Sequence, residues 1–378
     1  MMMKNDLEAA QMSRLGIYIH IPFCLAKCRY CGFYSAAGST AYERRCYVDG
    51  LINDIYEYGR VYGERRIADT IFIGGGTPSI LEHGEIERIM SAVRGAFAVA
   101  EDAEITLESN PKTLDREKLT EYRRAGVNRL SIGLQSFDSE CLKTLGRVHT
   151  VEDFAQNYEM ARECGFDNIN IDLMFAVPGH TMEIWEETLD RTIALGPEHI
   201  SFYSLQIEEG TPFYDMFMAG EFDQIPDDLD RKMYHRAIEK LKSAGYEHYE
   251  ISNACRPGKA CRHNLKYWSM EEYLGIGSSA SSYMEGVRFS EKPVFEFHEN
   301  SIQDDMSEYV FTGLRRTCGI SLSDFEERFG VELWEAFGDR REGLSEFFDS
   351  GLLIESGDRL FLSEEGLDVS NMIMAEFV

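Results

Sequence analysis

Six short runs rich in β-branched and apolar residues recur along the chain, and each is followed by a stretch with helical periodicity. They begin near Ile17 (IYIHIPF), Thr70 (TIFIGGG), Glu104 (EITLESN), Arg129 (RLSIGLQS), Asn168 (NINIDLMFAVPG) and His199 (HISFYSLQ). Between them, segments such as EIERIMSAVRGAF and REKLTEYRRAGV carry apolar residues at three- and four-residue steps, the spacing of one helix face. Six strands alternating with helices predict an α/β fold with a parallel sheet, curled into a partial (β/α)6 barrel. A doubly wound open sheet is the competing arrangement, and pattern alone does not separate the two. Polar or glycine-rich residues cluster where each run ends, and the C-terminal strand ends are where such barrels place their chemistry.

The alternation fades after about residue 207. We expect a short tail over 1–16, the barrel over 17–225, a linking segment over 226–300 and a separate C-terminal unit over 301–378. The linking segment holds one clear helix (RKMYHRAIEKLKSAG) and then the irregular stretch NACRPGKACRHNLKYW. In the last unit, SLSDFEERFG and EGLSEFFDSGLL read as helices and LIESGDRLFLSEEGL as a hairpin, a winged-helix-like layout. That unit carries 6 basic and 18 acidic side chains, and the whole chain has a net charge of −28, so nucleic acid is excluded as a partner. A docking or lid role suits the wing better. No stretch approaches the roughly 20 apolar residues of a membrane span, and the N-terminus lacks a secretory layout. Nine cysteines, three of them crowded into eight positions, argue against a disulfide framework, so a reduced cytoplasm is expected.

Those three are Cys24, Cys28 and Cys31, in HIPFCLAKCRYCGF directly after the first run. The spacing Cys-x3-Cys-x2-Cys delivers three thiolates from one tight loop, and thiolates are the soft ligands that hold iron–sulfur clusters. A [4Fe–4S] cube takes four ligands, so three leave one iron open. A structural zinc loop is the competing chemistry. It needs a fourth protein ligand, which His20, Cys255 or Cys261 could supply, so spacing alone leaves zinc open. After the second run comes Gly74-Gly75-Gly76-Thr77-Pro78, where glycines let backbone N–H groups approach a ligand, or simply serve a tight turn. At later strand ends come Glu108, Gln135 and Asp172, with Arg147 beyond GLQSF. Buried groups of this kind need partners.

The order Tyr18-Ile-His-Ile-Pro-Phe-Cys, GGGTP, Glu108-Ser-Asn-Pro, GLQS, DLMFAVPG resembles the oxygen-independent coproporphyrinogen III oxidase family of the radical S-adenosylmethionine (SAM) superfamily. The resemblance implies that Cys24, Cys28 and Cys31 bind a [4Fe–4S] cluster. It also implies that Tyr18, Tyr30, Gly75, Gly76 and Thr77 contact SAM, with Glu108, Gln135, Arg147 and Asp172 completing the site. Ser204 and Ala280 match further family contacts. Two features place the chain on one branch. The oxidases carry a further cysteine two residues beyond the third, where this chain has Phe33, and a long N-terminal segment, where 17 residues precede Tyr18. The HemW-type haem chaperones carry HNxxYW, matched here by His263-Asn264-Leu265-Lys266-Tyr267-Trp268.

This branch implies haem as cargo, with His263 in its site and Tyr267 and Trp268 offering flat apolar surface. From residue types alone a satisfied core histidine is the commoner reading, and His20, His180 and His248 are alternative axial ligands. Cys255 and Cys261 read as structural. The implied partners are haem or a porphyrin and recipient haemoproteins, at the membrane surface or not, with a homodimer left open. No catalytic residue is assigned. The alternative is an oxidase that decarboxylates porphyrinogen propionates through a SAM-derived radical. Four propionates would favour several arginines at the barrel mouth, and Arg14, Arg29 and Arg147 are few.

Overall fold

A computed structural model describes residues 12–290 and 295–378. All six expected runs are strands: β1 (Ser13–Ile21), β2 (Arg66–Gly75), β3 (Ala98–Ser109), β4 (Arg129–Gln135), β5 (Ile169–Phe175) and β6 (His199–Ser204). Helices α1 (Ala41–Tyr62), α2 (Glu85–Ala96), α3 (Arg116–Arg124), α4 (Val151–Glu163) and α5 (Met182–Leu195) connect them. Their starts are written locally. Thr40 with Glu43, and Thr150 with Asp153, form capping boxes on α1 and α4, and the Asp115 and Thr181 side chains cap α3 and α5.

Each neighbouring pair from β1 to β6 is parallel, and the strands lie side by side in sequence order. A doubly wound sheet reverses its order at a switch point. The uninterrupted progression here is that of a partial barrel. Of the tail expected over 1–16, residues 1–11 lie outside the described residues, and β1 already begins at Ser13.

Alternation along the strands decides what faces where. Leu15, Ile17, Ile19 and Ile21 of β1, and Leu130, Ile132 and Leu134 of β4, belong to the apolar core. Burying each such side chain contributes about 2 kcal/mol. The intervening residues, among them Tyr18, Arg129, Ser131, Gly133 and Gln135, line an internal cavity. A complete (β/α)8 barrel fills its interior with branched apolar side chains, whereas this interior is hollow and mixes polar with apolar side chains.

The stretch 226–300 is woven into the same sheet. After α6 (Asp227–Ser243), β7 (Glu247–Glu250) and β8 (Asn253–Cys255) extend the β6 edge antiparallel. Helix α7 (Arg262–Trp268) then carries the chain to the opposite edge, where β9 (Tyr273–Ile276) pairs parallel with β1. The strands β10 (Ser281–Met284), β11 (Val287–Ser290) and β12 (Glu296–Glu299) follow antiparallel and complete a twelve-stranded sheet. Because α7 joins two edges, it lies across the N-terminal ends of the barrel strands and closes the barrel from below.

In the C-terminal unit an unforeseen helix α8 (Ile302–Gly313) precedes α9 (Leu322–Phe329), which is the expected SLSDFEERFG helix, and EGLSEFFDSGLL holds the short helix Ser345–Asp349. The expected hairpin follows as Leu353–Ser356 and Arg359–Leu362, to which Ile320–Ser321 adds a third strand. Its apolar residues, including Leu314, Phe325 and Phe377, are continuous with the barrel's core. No described helix is long and apolar enough to cross a membrane.

Candidate functional site

A single cavity of about 530 Å³ brings together Cys24, Cys28, Cys31, Tyr18, Tyr30, Gly75, Gly76, Thr77, Glu108, Gln135, Arg147, Asp172 and His263. Ser204 also lines it, while Ala280, Arg14 and Arg29 do not. The cysteines sit at its mouth, on the loop leaving β1. The Thr77 hydroxyl donates to Cys24 Sγ at 3.5 Å, and an Arg147 amino group donates to Cys28 Sγ at 3.5 Å. Burial pushes the Cys31 thiol pKa up, and the neighbouring Cys28 and Cys24 add to the rise. A bound metal would reverse that preference, because a coordinating thiol loses its proton.

Arg147 is held from three sides: it donates to the Gly133 carbonyl at 2.7 Å, to Asn110 Oδ1 and to Cys28. Asn110 in turn donates to Thr77 at 2.7 Å. It thereby ties the glycine loop to the arginine, a role the sequence reading missed although Asn110 stands in the quoted ESNP. Glu108 accepts from the Gly75 N–H at 3.0 Å. Burial first, and then the charge of Asp172, push its carboxyl up to about 8, so it is mainly protonated at neutral pH. Asp172 accepts from Asn170 at 2.7 Å and from Ser131 at 3.1 Å. Gln135, in the left-handed region at φ 73°, accepts from the Tyr203 hydroxyl at 3.0 Å.

The glycines have a more local reason than ligand approach. A Cβ on Gly75, whose φ is +110°, would stand 2.5 Å from the His20 ring, and one on Gly76 would stand 2.7 Å from the Phe23 carbonyl. The end of β1 packs on them directly.

The fourth ligands that zinc would need are elsewhere. Both ring nitrogens of His20 are engaged, by the Tyr18 hydroxyl at 3.0 Å and the Tyr34 carbonyl at 2.9 Å. Cys255 pairs with His199 at the start of β6, and Cys261 caps α7 at the closed end. Among the described residues, no three His, Cys, Asp or Glu side chains converge tightly enough to hold one metal ion.

His263 lies at that closed end, 1% exposed. Its Nδ1 meets Thr70 Oγ1 at 2.8 Å and its Nε2 meets the Tyr267 hydroxyl at 2.8 Å, while its ring stacks on Phe72 with centroids 5.4 Å apart. Burial pushes its pKa down to about 3, helped by the charges of Lys266 and Arg129, so the ring is neutral. Tyr267 and Asn264 also line the cavity, but Trp268 does not: it packs beneath Arg315, whose guanidinium is 4.5 Å from the ring centroid.

Residues 18–192 match the Radical SAM superfamily, and residues 301–369 match the HemN C-terminal domain. The Bacillus subtilis (strain 168) protein named Heme chaperone HemW is 35% identical, over 96% of this chain and 98% of its own. The protein of that name from Escherichia coli (strain K12) is 40% identical, over 70% of this chain and 69% of its own. The chain belongs to the HemW family. Among solved structures, a coproporphyrinogen III oxidase (HemN) from Escherichia coli superposes with a TM-score of 0.85 at 22% identity, covering 98% of this chain and 92% of that one. At that identity the likeness establishes the fold. Family membership implies a [4Fe–4S] cluster and SAM. The donor set fits them: three thiols on one loop at the cavity mouth, an arginine beside one, and polar groups along the wall below.

Proposed function

We propose that this chain accepts haem and passes it to haemoproteins, using a [4Fe–4S] cluster on Cys24, Cys28 and Cys31 together with SAM in the barrel. The observation that carries the reading is the seat of the HNLKYW helix. It sets His263 in the cavity whose mouth holds the three cysteines. The relatives named Heme chaperone HemW, aligned over nearly the whole chain, support it.

When bound, the cluster would supply one iron open to the methionine end of SAM and a store for one electron. The rest is done by the chain's own groups. Arg147 donates to Cys28, and Thr77 donates to Cys24. Protonated Glu108 and the Asp172 carboxylate offer SAM a donor and an acceptor within one wall. Haem ligation by His263 requires one of its two hydrogen bonds to open. Tyr267 is the partner on its own helix, one turn away.

A paired experiment tests the reading. The full chain with its cluster reconstituted is titrated with haem, and the His263→Ala variant is compared by its Soret band. The same protein, reduced under anaerobic conditions, is given SAM and coproporphyrinogen III and assayed by mass. Haem binding without divinyl product is expected. Product above the control lacking SAM overturns the chaperone reading, and an unchanged Soret band in His263→Ala removes that residue from the haem site. Replacing Cys28 with Ala abolishes the visible absorption of the cluster, which a zinc protein would not have.

A further inference from the structure

Arg129 opens β4 at the closed end of the cavity, 2% exposed. Among the described residues its guanidinium has no hydrogen-bond or ion-pair partner, and its Nε is buried and unpaired. Two carboxylates lie near it, yet both are engaged elsewhere. Glu104 accepts from the backbone N–H groups of Arg262 and His263 at 3.2 Å each and faces the Cys261 thiol at 3.7 Å. Asp172 accepts from Asn170 and Ser131.

Arginine does not shed its proton in a protein, so this is a fixed cation in the barrel interior, offset at a distance by groups such as Glu104 and Asp172 but without a direct partner among the described residues. A buried charge left unpaired is costly. Its fork of donors matches a carboxylate. Six residues at about 3.3 Å each place Arg129 roughly 20 Å along the strand from Gln135, below the end that faces the cysteines. The walls around it are mixed, with Phe72 and Tyr267 on one side and Ser131 and Asn253 on the other.

We propose that Arg129 anchors a carboxylate-binding compartment at the closed end of the cavity, distinct from the cysteine-lined mouth. The carboxylate is that of a porphyrin propionate, because the amino-acid end of SAM belongs to the open iron at the mouth. This occupant rests on the haem reading.

The test uses the full chain and its Arg129→Gln and Arg129→Lys variants, titrated separately with haem, haem dimethyl ester and SAM. Arg129→Gln is expected to weaken haem binding at least tenfold, with equal binding of the ester and unchanged affinity for SAM. Arg129→Lys, which keeps the charge but loses the fork, should fall between. Thermal unfolding of the ligand-free proteins confirms that each variant is folded. Unchanged affinity for haem, an equal loss for the ester, or a loss for SAM alone overturns the proposal. If the wild-type chain itself binds no haem, it is the haem reading that fails, and this proposal with it.

Discussion

At the scale of single residues, the structure separates side chains whose chemistry is visible in sequence from those whose burial alone makes them matter. The cysteines, Glu108 and Gln135 are legible because each sits at or just past the end of a strand-like run, and such ends converge in a barrel; Asp172 lies within β5 and Arg147 on the segment beyond β4, and both reach the same cavity. Arg129 begins a run and is indistinguishable in sequence from an exposed strand-start arginine. Only the parallel register with β3 and the lid formed by α7 bury it. His180 is a similar case. It is 2% exposed, both ring nitrogens lack partners among the described residues, and its ring meets Trp185 edge-on with centroids 6.0 Å apart. Burial pushes its pKa down to about 4. The unfolded ring titrates near 6.5, so the fold holds it neutral while the unfolded chain takes up a proton below that value. The stability it contributes is complete above pH 6.5 and is lost as pH falls toward 4, with a ceiling of about 3 kcal/mol. Replacing His180 with Phe keeps the ring and removes the titration. Melting temperatures measured from pH 7 down to 4.5 should fall less steeply in this variant. Parallel curves would show that His180 does not carry that slope.

At the scale of elements, the six barrel strands were readable because each is long enough to show its period. Strands of three or four residues, such as β7 to β10, carry no such signature, and 226–300 therefore looks like a linker in sequence. Helix α7 was harder still. Its seven residues are too short to be stable alone, and it is held by what it plugs. Glu104 does much of this, accepting from two backbone N–H groups at the helix start where a carboxylate also suits the helix dipole. Lys266 adds an ion pair to Asp69 at 3.0 Å on the same floor. Replacing Glu104 with Ala leaves two buried donors without an acceptor, a loss of about 1–3 kcal/mol for each group. Urea denaturation should show at least 2 kcal/mol of destabilisation for Glu104→Ala and less for Glu104→Gln, which keeps one acceptor oxygen. Amide exchange in residues 262–268 should accelerate first. Loss of stability without faster exchange there would mean that Glu104 supports the sheet rather than the plug.

At the scale of the whole molecule, the barrel has two ends with different tasks. The C-terminal strand ends carry the cysteines and open to solvent. The opposite end is closed by α7 and backed by the C-terminal unit. That unit grips the plug from outside: Arg315 lies over Trp268, Arg316 donates to Ser269 at 3.1 Å, and Arg328 donates to the Met270 carbonyl at 3.0 Å. Backbone hydrogen bonds run both ways across the junction, from Ile251 to Arg315 at 3.1 Å and from Thr317 to Tyr249 at 3.1 Å. With one apolar core running through both parts, the wing acts as the outer wall of the closed end. The three tryptophans are placed to test this. Trp185 sits in α5 of the barrel, Trp268 at the junction and Trp334 within the C-terminal unit. Variants that retain one tryptophan each, with Phe at the other two positions, should report the same urea midpoint for Trp268 and Trp334. If Trp334 unfolds at lower urea while Trp268 keeps its native emission, the wing is an independent module and the plug is held by the barrel alone. If the two move together, any partner that engages the wing has a direct mechanical route to His263 through the helix that carries it.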